Sequence, residues 1–202
     1  MSESGNTRSA ILEAGRSEFI RRGYSGSRLK SIAENAGVTK AMIHYYFDDK
    51  DSLYREIYRD AIESVFSDLF TILTGPAPLF EKIDQFIKRS VSNQQSHADL
   101  VAFVMTELDR VPELTVDLAR QALQPKMSDL NRQIKEAAGN YEIAAVDPDQ
   151  LLLNMIALCF FPYTARNFSR GLIDPDDDQH YYQFLERRKD LVCDVILNWL
   201  TH

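Results

Sequence analysis

The chain has 202 residues, 45% of them hydrophobic and 26% charged, a globular make-up with room for one large domain or a small one joined to a larger one. No apolar run approaches the roughly 20 residues that span a bilayer, a cytoplasmic location is the expectation, and Cys159 and Cys193 are too few for a disulfide framework or a zinc site. The net charge of −7 is uneven: residues 1–50 carry eight basic and six acidic side chains, residues 51–202 carry 15 and 24, so a slightly basic head precedes an acidic body.

Apolar residues recur at spacings of three and four almost throughout, which predicts an all-α chain. A first helix is expected over about 8–22, with Ile11, Ala14, Phe19 and Ile20 inward and Gly23 as its stop. Ser27 is placed to cap a short second helix, and Gly37 offers the positive φ of a tight turn. Thr39 caps a third helix that ends near Tyr46. Asp49 caps a long fourth helix, striped by Leu53, Ile57, Ala61, Val65, Leu69 and Ile72 and broken by Gly75-Pro76-Ala77-Pro78. Further helices are expected over 79–95, 97–109, 113–138, 148–171 and 179–200, with Pro125 and Pro162 kinking or dividing two of them. The domain boundary is set at residue 50, between a three-helix head (1–50) and a larger helical body (51–202).

A helix, a turn holding Gly37 and a second short helix have the geometry of a helix-turn-helix, whose second helix enters the DNA major groove. Ile32, Ala33, Val38, Ile43 and Phe47 supply the apolar face on which the two helices cross. Thr39, Lys40, Ala41 and Met42 form the turn that would reach base edges. His44 has no cysteine or carboxylate at a ligand spacing on its own helix, so a DNA-facing role is favoured over a metal site or a passive surface. Tyr45 is expected to pack against the first helix rather than touch DNA.

The stretch GYSGSRLKSIAENAGVTKAMIHYYFDDKDSLY resembles the N-terminal domain of TetR/AcrR-type transcriptional repressors. Gly23, Tyr24, Ser27, Ile32, Ala33, Ala36, Gly37, Val38, Lys40, Ile43, Tyr46, Phe47, Lys50 and Leu53 fall on the family pattern without a gap, and the resemblance covers about residues 8–58. It implies a homodimer on a pseudo-palindromic double-stranded operator, released by a small, largely apolar ligand held in the C-terminal domain. By position it implies base contacts from Lys40, Ala41 and Met42, and contacts to bases or phosphates from His44 and Tyr46. It also implies backbone contacts from Ser27, Arg28 and Lys30, and a phosphate contact from Lys50. Two departures stand out, His44 where the family has tyrosine and Asp49 where it has serine or asparagine. The first predicts affinity that rises as pH falls through the histidine range, the second a weaker phosphate grip by Lys50.

In the body, Phe66, Phe70, Phe86, Phe103, Met127 and Tyr163 are candidates to line a ligand pocket, with His97, Glu107 and Asn154 as its polar groups. Ordinary core is the alternative for the apolar ones, a solvated helix end for Glu107. The last two helical stretches are broadly apolar. The resemblance implies that they pair into a four-helix dimer interface through Leu152, Ile156, Phe160, Leu185, Val192, Ile196 and Trp199, with burial in the chain's own core as the alternative. The sequence has no phosphate-cradling glycine loop, Glu-x-x-His pair or nucleophile elbow. A helical-bundle enzyme is therefore disfavoured, no metal or cofactor is expected, and an acidic adaptor would leave the basic head unexplained.

Overall fold

A computed structural model of the chain describes residues 3–123, 127–174 and 176–202, without the side chains of residues 3, 4, 95, 122, 123, 127 and 178. In chain order the elements are α1 (Glu3–Gly26), α2 (Leu29–Ala36), α3 (Lys40–Phe47), α4 (Lys50–Thr74), α5 (Leu79–Ser96) and α6 (Ala98–Thr106). A 3-10 turn (Leu108–Arg110), α7 (Pro112–Leu123), α8 (Met127–Gly139), α9 (Pro148–Thr164), α10 (Arg166–Ile173) and α11 (Asp178–Thr201) follow. No strand occurs among the described residues, so the all-helical expectation holds, and among them no helix is long and apolar enough to cross a membrane.

Local chemistry sets most boundaries. Gly23 (φ 63°, ψ 177°) interrupts α1 with a backbone that a side chain would strain. Asp49 caps α4 by accepting the Ser52 amide at 2.7 Å, and this bond holds its carboxyl below the ordinary aspartate range. Two stretches expected as single helices are divided. Residues 113–138 become α7 and α8 on either side of 124–126, and the expected break at Pro125 lies outside the described residues. Residues 148–171 part at Ala165 into α9 and α10.

The chain forms two compact units. The first is Met1–Ser64 with Ala102–Leu118, the second Val65–Val101 with Ala119–His202. Compactness therefore does not divide at residue 50, because the first half of α4 and the segment 102–118 belong with the head. Aromatic packing accounts for this. Phe19 meets Tyr54 edge-on at 5.2 Å, Tyr54 stacks on Tyr58 at 5.5 Å, and Phe103 closes on Tyr58 at 5.8 Å. The Tyr58 hydroxyl then donates to the Val104 carbonyl at 3.0 Å. Around these rings Ile11, Ile32, Ile43, Phe47, Leu53 and Ile57 are buried.

In the second unit, α5, α9 and α11 bury Phe86, Ile87, Val91, Met155, Phe160, Leu185, Val192 and Ile196 together with Phe66 of α4. Pro162 lies inside α9 and has no N–H for the Leu158 carbonyl four residues back. Arg188 of α11 supplies the missing donor at 2.8 Å, and the Tyr181 hydroxyl donates to the Pro162 carbonyl at 2.7 Å. Thus a residue that ordinarily kinks a helix also fixes how α11 docks on it. Lys82, fully buried, reaches Asp129 of α8 at 3.2 Å.

Candidate nucleic-acid interface

The pair α2–α3 is built as its residues dictate. Gly37 takes the left-handed conformation (φ 66°, ψ 30°), and the Val38 amide returns to the Ala33 carbonyl at 3.0 Å. The Thr39 hydroxyl caps α3 by accepting the Met42 amide at 3.3 Å. Ile32, Ala33, Ile43 and Phe47 are buried at the crossing. One outer surface is left, on which Arg28, Lys30, Thr39, Lys40, Ala41, Met42, His44 and Tyr45 are exposed. Tyr46 is half-buried beside them. Tyr45 corrects an expectation: it is 82% exposed and does not pack on α1. Its ring meets the Tyr46 ring edge-on at 5.2 Å, as neighbouring positions about 100° apart on a helix allow.

His44 has its own geometry. Asp48 ends α3 with φ 58° and ψ −63°, and the Asp49 amide closes on the Phe47 carbonyl at 2.6 Å, a positive-φ γ-turn. The turn aims the Asp48 carbonyl at His44 Nδ1, 2.6 Å away. A carbonyl can only accept, so Nδ1 carries the proton. In the neutral ring Nε2 is then the free acceptor, and it donates only once the ring is protonated.

Two expected backbone contacts turn inward. Ser27 is buried and its hydroxyl donates to the Tyr24 carbonyl at 2.7 Å. It therefore neither caps α2 nor faces a phosphate, and Arg28 takes the cap position without a side-chain bond. Lys50 donates to the Tyr24 and Ser27 carbonyls at 2.6 and 2.7 Å and lies 4.3 Å from the Tyr24 ring centre. Burial and the nearby Arg110 guanidinium hold its pKa below the usual lysine range. Its charge secures the end of α1.

Two carboxylates hold this head together in ways that the residue pattern alone does not predict. Glu18, fully buried, accepts from Ser31 Oγ at 3.1 Å, the Arg28 amide at 3.4 Å and Arg21 at 2.9 Å. An anion thus sits at the N-terminus of α2, where the helix dipole favours it. Burial works to raise the Glu18 pKa, but these bonds and the Arg22 charge outweigh it and leave it lowered. A lone acidic residue in the apolar face of α1 was the available signal. Glu107 was expected as a pocket group. It instead accepts from the Tyr54 hydroxyl at 2.9 Å and the Tyr24 amide at 3.4 Å. A Cβ on Gly23 would lie 2.8 Å from Glu107 Oε1, so glycine makes the approach possible. Arg110 covers the Tyr24 ring at 3.5 Å. Phe103 likewise belongs to the head unit and not to a pocket in the second one.

The other ligand candidates scatter. Phe66, Phe86 and Tyr163 are buried in the second unit, and Phe66 stacks on Phe70 and Phe160 at 5.6 and 5.4 Å. Asn154 is half-buried. His97 is the exposed C-cap of α5 and faces solvent, and the Met127 side chain lies outside the described residues. Of the interface candidates, Phe160, Leu185, Val192 and Ile196 are at most 2% exposed, because they form the chain's own core and have no outer surface to offer a partner. Leu152 and Ile156 are half-buried, and Trp199 is 39% exposed. The exposed apolar stripes run one step round the same helices. Leu153 and Phe161 mark α9, while Leu191, Val195 and Trp199 mark α11.

Residues 11–57 match the profile described as "Bacterial regulatory proteins, tetR family", and residues 80–196 match "Tetracyclin repressor-like, C-terminal domain". The HTH-type transcriptional regulator RutR of Escherichia coli strain K12 is 32% identical over 149 residues, 71% of this chain and 67% of the relative. The HTH-type transcriptional repressor KstR2 of Mycolicibacterium smegmatis is 25% identical over 114 residues, 56% of this chain and 55% of that one. Among solved structures, the transcriptional regulator FadR of Bacillus subtilis in complex with stearoyl-CoA superposes with a TM-score of 0.67 at 16% identity, covering 95% of this chain and 98% of its own.

Proposed function

Because this chain belongs to the TetR family of bacterial transcriptional regulators, and so to a family of regulators and not of enzymes, we propose that it is a repressor that binds a pseudo-palindromic operator as a homodimer and leaves it when a small molecule occupies the second unit. The observation that carries the reading is that Arg28, Lys30, Lys40, Met42, His44 and Tyr45 are all exposed on or beside α2 and α3, while Ile32, Ala33, Ile43 and Phe47 are buried beneath them. Lys40, Ala41, Met42 and Tyr45 would read bases in the major groove, and Arg28 and Lys30 would meet phosphates. Two copies would pair through the exposed stripes of α9 and α11, since apolar stripes of this length are seldom left to water. Release would act through α6, which begins in the second unit at Ala98 and ends in the first at the segment anchored on Tyr24 and Tyr54 by Glu107.

Site selection from random duplex DNA, followed by anisotropy titrations at rising salt, tests this. A two-fold symmetric consensus is expected, with affinity falling steeply between low and moderate salt as phosphate-bound counterions are released. Recovery of no consensus overturns the operator reading. A Trp199→Asp chain that stays dimeric in light scattering overturns the interface.

A further inference from the structure

Gln94 of α5 is fully buried, and its Nε2 donates to the Ser90 carbonyl at 3.1 Å and to the Cys159 carbonyl of α9 at 3.2 Å. Two carbonyls fix the amide, because the flipped group would set oxygen against oxygen. Oε1 is thus the end turned away from them, and it has no partner. One turn earlier on α5, Ser90 is also fully buried, and its hydroxyl has only the Cys159 thiol beside it. One turn beyond Cys159 on α9, the buried Tyr163 hydroxyl has no partner either. Burial raises the pKa of that phenol, so it stays protonated at neutral pH.

Buried polar atoms are nearly always hydrogen-bonded in folded proteins, and each one left bare is costly. Three of them, on successive turns of two helices joined by the Gln94–Cys159 bond, are therefore a concentration that needs an explanation. The Ser90 and Cys159 carbonyls account for the Nε2 end, and this pairing ties α5 to α9. It does not explain Oε1.

We propose that this contact between α5 and α9 is where the effector's hydrogen-bond donor is read, with Gln94 Oε1 as the acceptor and Ser90 and Tyr163 as flanking hydroxyls. The inference rests on the second unit being the effector domain. The charged side chains that act on the Tyr163 hydroxyl are Arg188, engaged by the Leu158 carbonyl, and Glu186, paired with Lys189 at 2.8 Å, and they are of opposite sign. Neither a free cation nor a free anion is thus offered, and the ligand is neutral. On the same two helices Phe86, Val91, Met155 and Phe160 are buried apolar neighbours in sequence. The ligand class is a small, mostly apolar molecule with one O–H or N–H group.

Phenol and toluene form a matched pair of probes, alike in shape and differing by a donor. Titration calorimetry on the full chain, without DNA, should show phenol binding more tightly than toluene by about fivefold or more, the lower limit for one bond to a buried acceptor. In Gln94→Met, which keeps the volume and removes the acceptor, the order should reverse. Ser90→Ala, a milder change, should narrow the gap. Toluene binding as well as phenol in the wild type, an unchanged ratio in Gln94→Met, or no binding of either would overturn the proposal and leave a buried water as the partner of Oε1. Operator binding without ligand is measured separately. Its loss would overturn the regulator reading instead.

Discussion

Glu107→Ala removes the acceptor that holds the segment 102–118 to the head. The Tyr54 hydroxyl is fully buried, and burial together with Glu107 pushes its pKa upward, so it is a permanent donor. Deleting the carboxylate leaves that donor bare, at a cost of about 1–3 kcal/mol, and the Tyr24 amide loses a weaker bond besides. A total of about 2–3 kcal/mol follows, which at a slope of about 2 kcal/mol per M displaces the urea midpoint by about 1–1.5 M. Tyr54→Phe deletes the donor instead. Glu107 then retains the Tyr24 amide and an Arg110 pair at 4.0 Å, so this change should be milder. In the double variant neither group is orphaned, and the cycle should return a coupling of about 1.5–3 kcal/mol, the range for a hydrogen bond to a charged group. The assay is urea unfolding of all four chains at fixed protein concentration, followed by circular dichroism. Additive effects, with coupling below about 0.5 kcal/mol, would refute the clamp.

Arg188→Met should orphan the Leu158 carbonyl and lower the melting temperature by several degrees, at about 2–4 °C per kcal/mol for a chain of this size. Adding Pro162→Ala, which restores an N–H for that carbonyl, should recover most of the loss, and an equal loss in both backgrounds would refute the pairing. Glu18 has a lowered pKa in the folded chain, so its contribution is fully present above the unfolded glutamate value of about 4.3 and is lost as pH falls through the lower folded value. Glu18→Gln should therefore be less stable than the wild type at neutral pH and converge with it in acid, as followed by thermal melts across pH. Lys50→Ala should lower stability while leaving the salt slope of operator binding within one phosphate contact of wild type. A slope reduced by about one or more would reinstate Lys50 as a phosphate ligand.

What was legible in the sequence depended on how local its cause was. Gly37, Thr39 and Asp49 act on amides and carbonyls within four residues, and each took the turn or cap its chemistry predicts. Ile43 and Phe47 share a face one turn apart and are buried as expected. Ser27 turned back to a carbonyl three residues away instead of forward to a cap, whereas Lys50 and Glu107 went elsewhere because their fates lie in tertiary partners. The carbonyls that hold Lys50 are 23 and 26 residues away, and the hydroxyl that holds Glu107 is 53 residues away. Helix α11 illustrates a different limit. Leu185, Val192 and Ile196 fall at helical spacing, and so do Leu191, Val195 and Trp199. Periodicity alone cannot say which stripe meets the chain's own core. Ser90 and Gln94 were readable in principle as two polar residues four apart within the apolar face of Phe86, Ile87 and Val91.

The membership of 102–118 in the first unit bears on how regulators of this kind can be recombined. A chimera joined at residue 50 would transplant Tyr24 without Glu107 and Arg110, and Gly23 would keep its costly backbone with nothing to approach it. A workable graft carries two pieces of chain, 1–64 and 102–118, or redesigns the surface between them. On the proposed reading, any DNA specificity of this chain would be portable only as a discontinuous module.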